Sequence, residues 1–274
     1  MRDLKGKVAA VTGAASGLGR AMALAFADEG MNLALADVVD MTEVVSLIRS
    51  KGVKASSMKV DVSKAEDVEA FAALADRELG GAHVVCNNAG VSPLGAAWET
   101  SVDDWRWILG VNLWGVIHGV RSFVPRLMAR GDGHVVNTAS VAGLISPPGM
   151  GIYNVTKHAV VALSETLYQD LRVQNSAVGV SVLCPAYVPT RISESERNRP
   201  KELVGAPAPE AMKQNLRKAV SSGKLSADDV ARAVVAAVKE EHFYILTHPR
   251  IKGAIQARME DILAERAPRN PMAL

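Results

Sequence analysis

Seven short runs of apolar or β-branched residues punctuate the chain: Val8 to Thr12, Asn32 to Asp37, Ala55 to Val60, Val84 to Asn87, His134 to Ser140, Val180 to Pro185 and Phe243 to Leu246. Runs this short and this apolar predict buried strands. Helix-length segments separate them, and several carry their own start signals. Ser63 followed by Glu66, Ser101 by Asp104 and Ser226 by Asp229 each resemble a capping box. Gly30 and Gly52 stand where a left-handed residue would end the first two helices. Alternating strands and helices, with strands apolar on both sides, imply right-handed crossovers and a parallel sheet covered on both faces. Ligands then bind at the carboxyl ends of the strands.

The 274 residues suffice for one large α/β domain, and a hydrophobic content of 49% supplies its core. No linker, internal repeat or low-complexity tract divides the chain, so one domain over residues 1–274 is expected, with a polar insertion at about 191–225. Insertions of that length are often functional, and this one is read as closing over a substrate, with a helix around Pro209 to Ala219. The formal net charge of +2 is spread evenly, without the basic stripe that nucleic-acid binding needs. The opening M-R-D-L-K-G-K lacks the apolar stretch of a signal peptide, and no segment reaches the length of a membrane span, so a cytoplasmic protein is expected. Cys86 and Cys184 fall in strand-like runs and read as buried thiols, and His118, His134 and His158 lack metal-ligand spacing, so no metal is assigned.

The first strand runs into T-G-A-A-S-G-L-G, Thr12 to Gly19. Gly13, Gly17 and Gly19, with Ser16 and Leu18 between them, let bare backbone approach a pyrophosphate at a helix N-terminus, where N–H groups point outward. Asp37 ends the second strand, about twenty residues on, where a carboxylate accepts hydrogen bonds from an adenosine ribose and repels a 2′-phosphate. No Arg or Lys occupies Ala14, Ala15, Ala36, Val38 or Val39 to offset that repulsion, so NAD is expected over NADP. No lysine follows the loop as in a nucleotide triphosphatase.

Ser140 stands thirteen residues ahead of Tyr153, and Lys157 follows in Y-N-V-T-K. Residues i and i+4 share a helix face, so phenol and ammonium converge on one pocket. A phenol with a pKa of about 10 carries protons poorly at neutral pH unless a cation stabilises the phenolate.

The glycine loop, the N-N-A-G run at Asn87 to Gly90 and Ser140 ahead of Y-x-x-x-K together resemble the short-chain dehydrogenase/reductase superfamily, over nearly the whole chain. The resemblance implies a Rossmann-type doubly wound α/β sheet of about seven parallel strands and an NAD-dependent oxidoreductase. It places Asn88, Ala89 and Gly90 on the adenosine side of the cofactor cleft, Asp61 and Val62 at the adenine, and Asn112 beside a water in a proton relay. It makes Tyr153 the general acid/base, Ser140 the group that orients the substrate oxygen, and Lys157 the ribose ligand that lowers the phenol's pKa. The family's P-G-x-V-x-T is here Pro185, Ala186, Tyr187, Val188, Pro189, Thr190. Pro185, Val188 and Thr190 keep their expected cofactor contacts, with an added methyl at Ala186. The family's habit further implies a homodimer or homotetramer through the helices holding Asn112 and Tyr153.

The substrate is read from the apolar stretch between Ser140 and Tyr153 and from the segment after the sixth strand. Leu144, Ile145, Met150, Tyr187 and Ile192, with Ser140 and Tyr153, are expected to line its pocket. A bulky or aromatic secondary alcohol or ketone fits best. Arg191 either binds an anionic group or pairs with Glu194. Trp98, Trp105, Trp107 and Trp114 read mainly as packing and subunit contact, with Trp98 the one expected to touch substrate. A 3-oxoacyl-thioester reductase and a catalytically idle NAD-binding sensor or scaffold are the alternatives. A serine hydrolase is disfavoured, because Ser140 lies in A-S-V-A-G rather than G-x-S-x-G.

Overall fold

A computed structural model describes residues 1–273. Its strands are β1 (Val8–Thr12), β2 (Asn32–Asp37), β3 (Ala55–Lys59), β4 (Val84–Asn87), β5 (His134–Thr138), β6 (Gly179–Leu183) and β7 (Tyr244–Ile245). They form one sheet in the order β3-β2-β1-β4-β5-β6-β7, and every pair is parallel. The strand order reverses between β1 and β4, which pair through Ala9 with Val84 and Val11 with Cys86. A crevice opens at such a switch point because the two connections leave in opposite directions.

The helices are α1 (Gly17–Asp28), α2 (Thr42–Ser50), α3 (Ala65–Leu79), α4 (Val102–Ile108), α5 (Gly115–Arg130), α6 (Gly151–Val173), α7 (Glu210–Ser221), α8 (Ala227–Glu240) and α9 (Ile251–Leu263). One core joins β1, β2 and β4 to α1 and α8 through Met22, Phe26, Leu33, Leu35, Val230 and Val234, all buried. A second covers the other face through Phe71 on α3, with Phe123 and Leu127 on α5. No helix among the described residues is long and apolar enough to cross a membrane.

Ser101 with Asp104 and Ser226 with Asp229 form complete capping boxes on α4 and α8. Gly30 and Gly52 take positive φ after α1 and α2. Ser63 and Glu66 form no such box. The Ser63 hydroxyl donates to Asp61 Oδ1 at 2.7 Å, two residues back, and α3 starts at Ala65 behind Lys64. The nearer carboxylate wins because it closes a turn without fixing another residue. β5 also stops short of Ser140, which leaves the ladder to cap a 3₁₀ turn at Val141–Gly143. α4 and α5 are joined by a π-helical stretch, Leu109–Trp114, that carries Asn112.

Candidate active site

Thr12 organises the switch point. Its buried hydroxyl donates to Cys86 O at 3.3 Å and accepts from the N–H groups of Asn88 at 2.9 Å and Ala89 at 3.1 Å. Asn88 Nδ2 donates back to Thr12 O at 3.0 Å, so the loops after β1 and β4 are tied at three points. Gly13 has φ +68°, and a Cβ there would lie 2.9 Å from Ala89 Cα. A Cβ at Gly19 would lie 2.0 Å from Gly13 O. Only glycine permits these approaches, and the result is a hollow of bare backbone at the start of α1. Asp37 Oδ2 accepts from Ala15 N at 2.9 Å and Oδ1 from Val39 N at 3.3 Å. The carboxylate thus stands at the end of β2, facing the loop. A dinucleotide fits this donor set, since Gly13, Gly17 and Asp37 all border one cavity.

Ser140, Tyr153 and Lys157 meet where β5 ends against α6. Close packing makes that possible: a Cβ at Gly143 would lie 2.5 Å from Lys157 O, so the turn after Ser140 rests directly on the α6 backbone. Ser140 Oγ accepts from Ala142 N at 3.2 Å and donates to Pro185 O at 3.3 Å. Lys157 Nζ donates to Thr138 O at 2.8 Å and lies 5.6 Å from the centre of the Tyr153 ring. Burial pushes the Tyr153 phenol up to about 12, against a downward pull from the Ser140 hydroxyl. Burial also brings the Lys157 ammonium down to about 8. The two shifts move the proton affinities apart, phenol above ammonium, because burial favours the neutral form of each. Asn112 is fully buried behind this group. Its Oδ1 accepts from Val91 N at 2.8 Å and its Nδ2 donates to Val91 O at 2.9 Å, so its side chain is committed to the loop after β4.

Ser140, Tyr153, Lys157, Asp37 and the glycine loop border one cavity of about 900 Å³. Of the expected cofactor residues, Gly13, Ser16, Gly17, Leu18, Asp37, Asp61, Val62, Asn88, Ala89, Gly90, Pro185, Val188 and Thr190 line it, while Gly19 packs beneath the loop. Ile145, Met150, Tyr187 and Ile192 line its other half. Leu144 does not: it turns into a small core cluster with Val116, Ala139 and Val160. Trp98 is 86% exposed and away from the wall, whereas Trp107 is buried on α4 and borders the cavity. Helical spacing on α4 is the signal that favours Trp107, since it lies one turn after Asp104 on the inward face. The insertion forms a 3₁₀ stretch, Arg191–Asn198, and then α7, near the helix expected at Pro209 to Ala219. Arg191 pairs with Glu194 at 3.0 Å.

A family model described as short chain dehydrogenase matches residues 7–201, more than half of the chain. The chain belongs to the short-chain dehydrogenase family. A family member from Burkholderia phymatum, solved in complex with NAD, is 48% identical and superposes with a TM-score of 0.97 over 100% of both chains. The CLA biosynthesis dehydrogenase/reductase of Lactiplantibacillus plantarum is 32% identical, across 98% of this chain and 97% of its own. The 1-deoxy-11-beta-hydroxypentalenate dehydrogenase of Streptomyces exfoliatus is 33% identical, across 94% and 89%.

The family model ends at residue 201, and part of the cavity wall comes from beyond it. His248, just after β7, borders the cavity, and its Nδ1 accepts from Ala186 N at 3.2 Å. That bond supports the turn in which Ala186 replaces glycine, and Ala186 is not among the positive-φ residues, so its methyl brings no left-handed strain. Ala254 and Ala257 of α9 complete the wall. Nothing in the spacing of His248 or α9 announced this, because both reach the site through the path of β7.

Proposed function

We propose that the chain is an NAD-dependent oxidoreductase that interconverts a secondary alcohol and a ketone, on a bulky apolar or aromatic substrate. The observation that carries the reading is the meeting of Ser140, Tyr153 and Lys157 on the wall of one cavity that also takes in the glycine hollow faced by Asp37. The NAD in the Burkholderia phymatum relative and the dehydrogenase names of the others support it. Bound NAD supplies the hydride acceptor.

In the oxidative direction Ser140 turns its hydroxyl from Pro185 O toward the substrate oxygen and orients it. Tyr153 takes the hydroxyl proton as a phenolate and returns it in the reverse direction. A phenol at about 12 is a poor base at neutral pH, so the role depends on a cation beside it, and Lys157 is the cation in place. Asn112 is a positioning residue that holds Val91 and the loop after β4. The wall supports the substrate class: Ile145, Met150, Trp107, Leu203 and Val220 present apolar surface around the Ser140–Tyr153 pair.

The test is the initial rate of reduced-cofactor formation, followed by near-ultraviolet absorbance, with NAD and NADP across aliphatic, alicyclic, aryl and steroidal secondary alcohols. Turnover with NAD on a bulky alcohol is expected. Faster turnover with NADP would overturn the Asp37 argument, and NADH binding without any turnover would favour a sensor.

A further inference from the structure

The glycine hollow would present backbone N–H groups to one side of a pyrophosphate, and the start of the insertion stands over it. Thr190 lies directly above the loop: a Cβ at Gly17 would sit 3.2 Å from Thr190 Cβ. The 3₁₀ stretch begins at the next residue, and Arg197 folds back along it. Its Nη1 donates to Arg191 O and to Glu194 O, each at 2.9 Å. The guanidinium is thereby returned to within one residue of Thr190, on the cavity wall, with Asp37 near enough to act on its charge. Its acceptors among the described residues are both main-chain carbonyls, so Nε and Nη2 are uncommitted. Neighbouring arginines are engaged elsewhere: Arg191 with Glu194, and Arg199 with Asp104 at 2.6 Å.

We propose that Arg197 is a cofactor-recognition residue that meets the pyrophosphate of a dinucleotide from the side opposite the glycine loop. A guanidinium with a free edge suits a phosphate oxygen pair, and Asp37 beyond it bars a 2′-phosphate from the same charge. The consequence reaches the substrate half. Ser195 Oγ accepts from Ser92 N at 3.0 Å and Arg199 is pinned to α4, so the insertion is held at its middle and far side. Arg197 on a pyrophosphate holds its near side, and Ile192 and Leu203, which border the substrate cavity, are then set in place. Dinucleotide binding finishes the substrate wall.

The inference rests on the dinucleotide reading above but not on any substrate. NADH binding is measured by fluorescence titration, and ADP-ribose and adenosine by calorimetry, for the unaltered chain, Arg197→Met and Arg197→Lys. Arg197→Met should weaken NADH and ADP-ribose about tenfold and leave adenosine unchanged, with Arg197→Lys between. Raised salt should weaken the unaltered chain more than Arg197→Met. Hydrogen exchange at residues 190–200 should slow with ADP-ribose, and less so in Arg197→Met. Equal NADH affinity in Arg197→Met, or an equal loss for adenosine, would overturn the proposal, as would a loss confined to 2′-phosphorylated ADP-ribose. An unaltered chain that binds neither NADH nor ADP-ribose would overturn the dinucleotide reading as well. Arg197 is exposed and outside the cores, so circular dichroism of the variants should match.

Discussion

Where β1, β2 and β4 end, the cavity wall is mostly main chain: Gly13 against Ala89, Gly19 beneath Gly13, and the Ala15 N–H on Asp37. Around the Ser140–Tyr153 pair the wall is mostly side chains, many from segments far apart in sequence. There Arg199 lies 4.1 Å above the Trp107 ring and pairs with Asp104, whose carboxylate also accepts from the N–H groups of Ser101 and Ala206. The first half binds through groups that every residue possesses, so its specificity lies in how closely backbones approach. The second half varies with each side chain, so one scaffold can take different substrates there without disturbing the cofactor end.

The sharpest way to separate the halves is to remove the chemistry alone. Tyr153→Phe should lower turnover by about 10³-fold and leave NADH affinity unchanged. Retained turnover would show that the proton passes elsewhere. The backbone half should tolerate far less: Gly19→Ala places a methyl on Gly13 O, and a loss of about 3 kcal/mol in unfolding stability is expected, together with the loss of NADH binding. Cofactor affinity kept at its original value would mean that the hollow can flex.

Lys157 lies between the two halves, and its titration tests how tightly they enclose it. Its ordinary pKa is 10.5 and its folded value is about 8, so between those values the unfolded chain binds more protons and stability rises with pH. The penalty of the buried charge is constant below about 8 and is relieved as pH climbs. Denaturant unfolding should therefore show the unaltered chain gaining about 2 kcal/mol on Lys157→Met between roughly pH 8 and pH 10. A difference independent of pH would mean that the ammonium is already hydrated.

Within the side-chain half, Asp104→Ala should free the insertion from α4 at a cost of about 2 kcal/mol, below that of a fully buried pair because Arg199 keeps Glu196. Its mark would be a raised KM for the alcohol with NADH affinity little changed and faster proteolysis within residues 199–206. A fall in NADH affinity to match would join the halves more closely than the geometry does. Smallest of all, Trp98→Ala should change stability by less than about 0.5 kcal/mol and leave KM alone, whereas Trp107→Ala should raise it.

Legibility followed the same division. The cofactor half was read from contiguous spacing, because a strand, a glycine turn and a helix N-terminus follow one another along the chain. Ser140, Tyr153 and Lys157 were legible by order and by the helical i, i+4 rule. Asn112 was singled out, but its bond to Val91 was not visible, since that contact spans 21 residues. Leu144 and Trp98 were placed on the substrate by their nearness in sequence to Ser140 and α4, and the fold turns both away. Arg197 and His248 became visible only when separate strand ends were brought to one rim.

By itself the sequence determined the alternation of seven strands with helices, the parallel sheet, the glycine turn and the pairing of phenol with ammonium. Each depends on residues a few positions apart, where periodicity and backbone sterics decide the outcome. The tertiary structure alone decided that Leu144 and Trp98 turn away from the cavity and that His248 borders it, where Arg197 carries its charge and which carboxylate pins the insertion. Those contacts join residues up to about a hundred positions apart, such as Arg199 and Asp104. No local pattern encodes them, because they exist only once the sheet has ordered its strands and packed both cores.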